Sequence, residues 1–348
     1  MIVLFNAAYG GAGGGLRAMA ECYESILPDE SCRVHSFRIG GKRRSDGEGV
    51  RHLPSFGHFN PLGCLLALCF LVRYRPDVVI CHCTRSLSMF RWPCGLLGIP
   101  TVGVTHSDKL RRFRKAGYMI AFSSVLERKL LDLDFPKERI RILPNPVTAP
   151  ASRSSRPRFS SRLTGAPLRL GFLARLESPK GAGIAVQAMD CLRKRSIDAH
   201  LLLAGQGEEA DSLKNQIAAL GLADRVALPG WIADLDQFFS EVDLLLVPSK
   251  NESFGLTIVE AFARRVPVIT SRFYCFAENY FTDRVNCILA DSRCPEAFAD
   301  AVQWCLEHPE EMDAVTDSAE NDFHECFEAG VVAVQLRSFL GEIAGQGR

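Results

Sequence analysis

At 348 residues the chain is long for one domain and comfortable for two, and its 47% hydrophobic and 23% charged residues are an ordinary globular balance that excludes disordered and fibrous readings. The net charge of +1 conceals an asymmetry: residues 1–150 carry 21 Lys/Arg against 12 Asp/Glu (+9), and residues 151–348 carry 20 against 28 (−8). A basic half suits an anionic membrane surface, nucleic acid or an anionic substrate, and equally a merely solvated surface.

Along the chain, short apolar β-branched runs alternate with longer amphipathic stretches. The first series is "IVLF", then residues 16–27, "PDVVIC", "PTVGVT" and "GYMIAFSS"; the second, after residue 167, is "LRLGFL", "AHLLLAG", "DRVALPG", "DLLLVPS" and "VPVITS". Such alternation predicts parallel sheets covered by helices on both faces. Between the two series lies "VTAPASRSSRPRFSSRLTGAP", rich in Ser, Arg and Pro and read as a linker. The predicted organisation is a first Rossmann-like domain over 1–150, a linker over 151–167, a second such domain over 168–330, and a terminal helix over 331–348 that packs back on the first domain.

With no basic leader before "MIVLF", the thirteen cysteines are expected as thiols in a reducing cytoplasm rather than a disulfide framework. The one tight cluster, Cys81-His82-Cys83, ends an apolar run, and strand alternation turns its imidazole away from its sulfurs. No second pair follows at zinc spacing, so core packing is the expectation. The strongly apolar run Pro61 to Val72, twelve residues, is too short to span a bilayer, which takes about 20 residues, and reads as a buried or interfacial helix.

Open parallel sheets bind ligands beyond the carboxyl ends of their strands, so the loops there carry the chemistry. In the first, Tyr9 to Gly15, the stretch Gly13-Gly14-Gly15-Leu16-Arg17-Ala18 fits a G-x-G-x-x-A dinucleotide fingerprint. The expected acid about 20 residues on is replaced by "GGKRR". An NADP-binding oxidoreductase, with Arg43 or Arg44 on the 2′-phosphate, stands beside a plain close approach of backbone at Gly14 and Gly15 to another ligand.

In the second half, "ARLESPKGAGIAVQAM" places Arg175 and Lys180 on one loop ahead of a helix, an anion cradle suited to a diphosphate or simply two surface cations. The "AGQGEEADSL" turn reads as a structural βα unit, because Glu208 and Glu209 would repel phosphate. Gly230 and Trp231, in "LPGW", sit where backbone could meet a flat base. Then comes "SKNESFGLTIVEAFARR". Ser253 is predicted to cap a helix from Phe254 to about Arg264, leaving the amides of Phe254, Gly255 and Leu256 free to hold a phosphate. Glu252 just before that turn and Glu260 two turns on can accept hydrogen bonds from two different sets of hydroxyls.

Taken together, "GGGLRAMA", "PDVVICHC", "VGVTHS", "ILPNPV", "ARLESPKG", "LLLAGQGEEADSL", "LPGW" and above all "ESFGLTIVE" resemble glycosyltransferase family 4, retaining enzymes of the two-domain GT-B fold. The resemblance implies that Arg175 and Lys180 bind the donor diphosphate, Glu252 the transferred sugar and Glu260 the ribose, while residues 254–256 meet the distal phosphate and sugar. It also implies that His106 faces the donor sugar. Arg265 stands where the family has a helix-ending glycine, and Tyr274-Cys275 replaces a glycine pair; with the "GGL" start, these departures resemble lipopolysaccharide-core transferases. No Asp-x-Asp metal motif accompanies the site, so cations and amides are expected to meet the leaving diphosphate, with no cofactor and no metal. The expected donor is a UDP-sugar before a GDP-sugar and the acceptor a cell-envelope glycan or glycolipid, with no nucleic acid as partner. A catalytically silent sugar-nucleotide binder would show the same motifs.

After His106, Lys109, Arg111, Arg112, Arg114 and Lys115 flank Leu110 and Phe113. Such a segment is predicted to press its apolar residues into a headgroup layer while its cations meet anionic lipid, holding a cytoplasmic protein reversibly on the inner face of the plasma membrane.

Overall fold

The computed structural model describes residues 1–9, 15–40, 49–55, 60–106, 110–150, 156–163, 165–273, 277–290 and 294–346. The chain divides into two compact units: residues 1–146 with 328–348, and residues 147–327.

Unit 1 is built on seven strands: β1 (Ile2–Tyr9), β2 (Cys32–Ile39), β3 (Arg51–Leu53), β4 (Val78–Cys81), β5 (Thr101–Val104), β6 (Tyr118–Ala121) and β7 (Ile140–Ile142). They pair in the order β3-β2-β1-β4-β5-β6-β7, all parallel. The helices are α1 (Gly15–Ile26), α2 (Pro61–Tyr74), α3 (Thr84–Leu97) and α4 (Ser124–Leu131). β4 and β5 are buried along their whole length, which explains why β4 reads as a continuous apolar run rather than an alternating one.

Cys83 caps α3, its Sγ accepting from the Ser86 amide, while Cys81 lies in the core. Asn60 caps α2, its Oδ1 accepting from the Gly63 amide at 3.0 Å. α2 and α3 pack on each other. Only Gly63, Ala67 and Leu71 of α2 are buried, so its other side leaves Leu62, Leu65 and Val72 exposed.

Unit 2 carries six strands: β8 (Leu168–Leu173), β9 (Ala199–Ala204), β10 (Val226–Gly230), β11 (Leu244–Val247), β12 (Val268–Ser271) and β13 (Ile288–Ala290). Their order is β10-β9-β8-β11-β12-β13, again all parallel. Its helices are α5 (Phe159–Arg162), α6 (Ala182–Lys194), α7 (Ala210–Ala219), α8 (Leu235–Ser240), α9 (Leu256–Phe262), α10 (Pro295–Glu307) and α11 (Pro309–Asp322). The core joins Leu170, Phe172, Leu201, Leu203, Leu244 and Leu246 of the sheet to Val186, Met189, Phe298 and Val302 of the helices.

Within the Ser- and Arg-rich stretch read as a linker, the described residues 156–163 pack on unit 2. Phe159 joins its core. Arg156 donates to the carbonyls of Phe239, at 2.6 Å, and Val242, and Arg162 pairs with Asp243. The last helix, α12 (Ala329–Gln346), belongs to unit 1. Arg337 of this helix donates to the Ile26 carbonyl at 2.8 Å, and Glu342 pairs with Arg141 at 2.7 Å.

Candidate functional site

In both sheets the strand order reverses direction at one place, between β1 and β4 in unit 1 and between β8 and β11 in unit 2. Loops leaving neighbouring strands there part to opposite sides, which opens a crevice at the carboxyl ends. The predicted residues fall largely on these loops.

In unit 2 the loops after β8 and β11 are tied together. The Lys250 amide donates to the Pro179 carbonyl at 2.8 Å. Gly181, at φ 74°, runs so close to the second loop that a Cβ on it would stand 2.1 Å from the Pro248 oxygen, so only glycine fits this crossing. The tie sets Lys180 Nζ 2.6 Å from Glu252 Oε1, and Ser249 Oγ donates to the same oxygen at 3.0 Å. Both side chains of the ion pair are 18% exposed. They are screened enough to hold their geometry and open enough to meet a ligand. Arg175 is 64% exposed and pairs instead with Glu177 across its own loop.

The helix after Glu252 starts later than its sequence suggests. Phe254, 1% exposed, is drawn into a cluster with Tyr280, Phe281 and Phe327, whose rings lie 6.0 Å from its own. Gly255 then turns through the left-handed region at φ 96° and ψ 50°, where it caps α9 without a side chain. Phe254 and Gly255 therefore precede the helix, Leu256 is its first residue, and Ser253 does not cap it. Glu260 lies half-buried on α9, and burial pushes its carboxyl up to about 7, with Arg264 pulling weakly the other way. Arg264 is itself held at 2.7 Å from Asp236. At the sheet edge Gly230 ends β10, its carbonyl accepting from the Gly205 amide at 2.8 Å, and Trp231 beside it is 67% exposed.

Arg265 occupies the left-handed conformation, φ 54°, that a helix-ending glycine would take without strain. Its guanidinium reaches Asp317 and Glu320 on α11. Two charge pairs accompany the backbone conformation that the side chain disfavours.

In unit 1 three neighbouring strands, β1, β4 and β5, bring Asn6, His82 and His106 together. His82 Nδ1 lies 2.9 Å from His106 Nε2, and His82 Nε2 lies 2.6 Å from Asn6 Oδ1. The two imidazoles stack, with centroids 5.2 Å apart, and the Tyr23 ring meets His82 edge-on. Burial lowers His106 to about 3 and His82 well below its ordinary value. Both rings are neutral across the physiological range. His106 is half-buried while His82 is fully buried.

Gly15 opens α1. Gly14, Arg43, Arg44, Lys109, Tyr274 and Cys275 lie outside the described residues.

The basic segment departs from its expected role. Arg111, Arg112, Arg114 and Lys115 are exposed, but Leu110 and Phe113 are only 2% and 3% exposed. The short 3₁₀ turn Phe113–Lys115 directs Phe113 against the sheet beside Gly103, so the two apolar residues expected to enter a lipid layer are spent on the core. Among the described residues, exposed apolar side chains of unit 1 cluster elsewhere, with Leu62, Leu65 and Val72 on α2 and Trp92, Leu96 and Leu97 on α3. Among the described residues no helix is long and apolar enough to cross a membrane.

Three functional candidates escaped the sequence reading: Ser249, Asn6 and His82. An asparagine inside the apolar strand "IVLFNAAY" was the available signal, because a fully buried amide must find partners.

Comparison with known proteins places these features in a family. Residues 155–322 match the model of glycosyl transferases group 1, and residues 27–149 that of glycosyltransferase family 4. A lipopolysaccharide core biosynthesis mannosyltransferase of Rhizobium leguminosarum is 30% identical over 190 residues, covering 51% of this chain and 54% of that protein. The chain thus spans about half the length of that relative. A GDP-mannose-dependent phosphatidylinositol dimannoside mannosyltransferase of Mycobacterium tuberculosis is 26% identical over 343 residues, covering 87% of this chain and 86% of that one. Among solved structures, HepE of Anabaena in complex with UDP superposes with a TM-score of 0.80 over 98% of this chain and 100% of its own, at 20% identity. The same protein has been solved with UDP-glucose.

Proposed function

The chain belongs to glycosyltransferase family 4, and we propose that it moves a hexose-type sugar, with retention, from a nucleoside diphosphate to a hydroxyl of a cell-envelope glycan or glycolipid. The carrying observation is the Lys180–Glu252 pair, held by two tied loops at the reversal point of the second sheet. An ammonium fixed there faces the place where a diphosphate gathers negative charge as it leaves, and a carboxylate beside it is an acceptor for sugar hydroxyls.

In this reading the acceptor hydroxyl attacks C1 on the face that the diphosphate vacates. The C1–O bond to phosphate breaks, the new C1–O bond forms, and the hydroxyl proton passes to the departing phosphate oxygen. Lys180 meets the developing charge, joined by Arg175 once the donor replaces Glu177 as its partner. Glu252, already bonded to Lys180 and Ser249, acts as a hydroxyl acceptor and not as a nucleophile. Glu260 accepts from the ribose, His106 meets the transferred sugar, and the Gly230–Trp231 turn meets the base. A UDP-sugar is the favoured donor because HepE is known with UDP and UDP-glucose; GDP-mannose, which the mycobacterial relative uses, comes next. The charge is met without a metal ion.

The acceptor lies on or in an anionic membrane in this reading, and unit 1 meets that surface. Its exposed leucines and Trp92 on α2 and α3 supply the apolar contact that Leu110 and Phe113 do not. Arg73, Arg91, Arg111, Arg112, Arg114 and Lys115 supply the charge.

Incubation with UDP-, GDP- and ADP-sugars, followed by thermal shift and donor hydrolysis, tests the activity. Stabilisation and slow hydrolysis with one donor class are expected. Stabilisation without turnover, even with acceptor glycans, would make the protein a silent binder. No stabilisation by any donor would overturn the reading.

A further inference from the structure

The buried contacts behind His106 fix which of its nitrogens carries the proton. Asn6 Nδ2 donates to the Ala20 carbonyl at 2.9 Å and to Glu24 Oε1 at 3.2 Å. Neither can donate in return, because one is a carbonyl and the other a carboxylate paired twice with Arg38, at 2.6 and 2.9 Å. The amide orientation is therefore set, and Oδ1 is the atom that faces His82 Nε2 at 2.6 Å. An amide oxygen only accepts, so Nε2 of His82 carries its hydrogen.

A neutral imidazole has one N–H. His82 is fully buried, with Arg38 and His106 as its charged or titratable neighbours and the Tyr23 ring against it, and it stays neutral. Its Nδ1 is then bare and accepts from His106 Nε2 at 2.9 Å. His106, half-buried but still with its charge disfavoured by burial, is left with a bare Nδ1.

We propose that Asn6 and His82 are positioning residues that lock His106 in the Nε2–H tautomer, so that its Nδ1 lone pair accepts a hydrogen bond from a hydroxyl of the transferred sugar. The sugar contact rests on the function proposed above; the tautomer lock does not. Because burial disfavours its charge so strongly, His106 selects a hydroxyl and does not shuttle protons.

The test begins on the full chain without ligand. Two-dimensional ¹H–¹⁵N spectra of histidine-labelled protein are expected to show His82 and His106 both as Nε2–H tautomers at neutral pH. Finding either ring as the Nδ1–H tautomer, or as imidazolium, would overturn the lock. His82→Gln can rebuild the relay, its amide donating to Asn6 Oδ1 and accepting from His106 Nε2. His82→Leu cannot.

The glutamine variant is expected to keep the His106 tautomer and a kcat/KM within about threefold of the parent, and the leucine variant to populate the other tautomer and lose roughly tenfold, the scale of one neutral hydrogen bond. A series of donors each lacking one sugar hydroxyl should include one that levels the two variants. An unchanged tautomer in a folded His82→Leu protein sinks the lock. A changed tautomer with unchanged kcat/KM sinks the hydroxyl contact. If the spectra are as expected and no sugar nucleotide binds, the lock stands, the hydroxyl role falls, and it is the proposed function that has failed. Should His82→Leu not fold, the spectra of the parent chain and of His82→Gln still decide the lock.

Discussion

The reversal points of the two sheets occupy the same place in the same strand order and are furnished in opposite ways. At β8 and β11 the groups are an ion pair, Lys180 and Glu252, each 18% exposed; at β1, β4 and β5 they are an amide and two neutral imidazoles. Burial alone does not decide between them: Arg38, 4% exposed, keeps its charge beside Asn6 by pairing with Glu24. The two imidazoles bond to each other and to an amide, and there burial suppresses charge and leaves directional hydrogen bonding. Topology selects the location, and the partner each side chain finds selects the chemistry. Net charge runs the other way: residues 328–348 add two Lys/Arg and two Asp/Glu to the first 146, so unit 1 keeps +9 and unit 2 keeps −8.

The comparison breaks most sharply at Lys180. Lys180→Ala is expected to lower turnover about 100- to 1000-fold, the scale for removing one preorganised charge-stabilising donor. Arg175, more exposed and held by Glu177, should cost about tenfold when changed to alanine, because solvent screens it. Steady-state rates at saturating donor check both, and near-parental turnover in Lys180→Ala would refute the charged reading of the second crevice.

Unit 1's surplus charge makes the next prediction. The protein should sediment with anionic vesicles but not with phosphatidylcholine alone, and release in high salt. Replacing Arg111, Arg112 and Arg114 with serine should weaken that binding on the order of 100-fold, at about 1 kcal/mol per cation. Replacing Leu62 and Leu65 with aspartate should abolish it while the lost arginines remain in place. Salt-insensitive binding to both vesicle types would remove the membrane from the account.

How much of this was legible in the sequence follows from the range of the interactions involved. Lys180 and Glu252 could be found because each sits in a local motif beside a strand end. That they form a pair could not, since the Lys250–Pro179 tie joins loops 71 residues apart in the chain. The start of α9 was misplaced because Ser253 is a good cap by type, while the aromatic cluster around Phe254 overrode it. Leu110 and Phe113 look amphipathic in their own segment, and only β5 beneath them shows which way they turn. His82 was legible as buried but not as a relay, for its partners come from β1 and from beyond β5.

Glu260 tests the middle ground between the two crevices, because it is a carboxyl pushed up to about 7 by burial. Its folded value lies above the 4.5 of an ordinary glutamate. The folded state therefore holds the proton more tightly, and stability should fall as pH rises from about 4.5 through about 7. Glu260→Gln should flatten that slope. If the ionised carboxylate accepts from the ribose, donor KM should fall about tenfold as pH rises across the same upper limb, by roughly the one-unit equivalence between pKa and affinity. A donor KM that stays level through this range in the parent protein would leave the ribose to another residue.

The smallest expected effect lies at Arg265, where unit 2 uses charge for architecture instead of chemistry. A non-glycine residue at φ 54° carries about 1 kcal/mol of backbone strain, and two part-exposed pairs to Asp317 and Glu320 contribute up to about 1 kcal/mol each. Arg265→Ala keeps the strain and loses the pairs, so it should be less stable than the parent by about 1 to 2 kcal/mol. Arg265→Gly loses the same pairs but relieves the strain, so it should lie above the alanine variant by about 1 kcal/mol. Urea midpoints at unchanged m-value read both differences. Equal midpoints for glycine and alanine would mean that the turn carries no strain for a side chain to relieve. An alanine variant as stable as the parent would mean that Asp317 and Glu320 hold a guanidinium that contributes nothing.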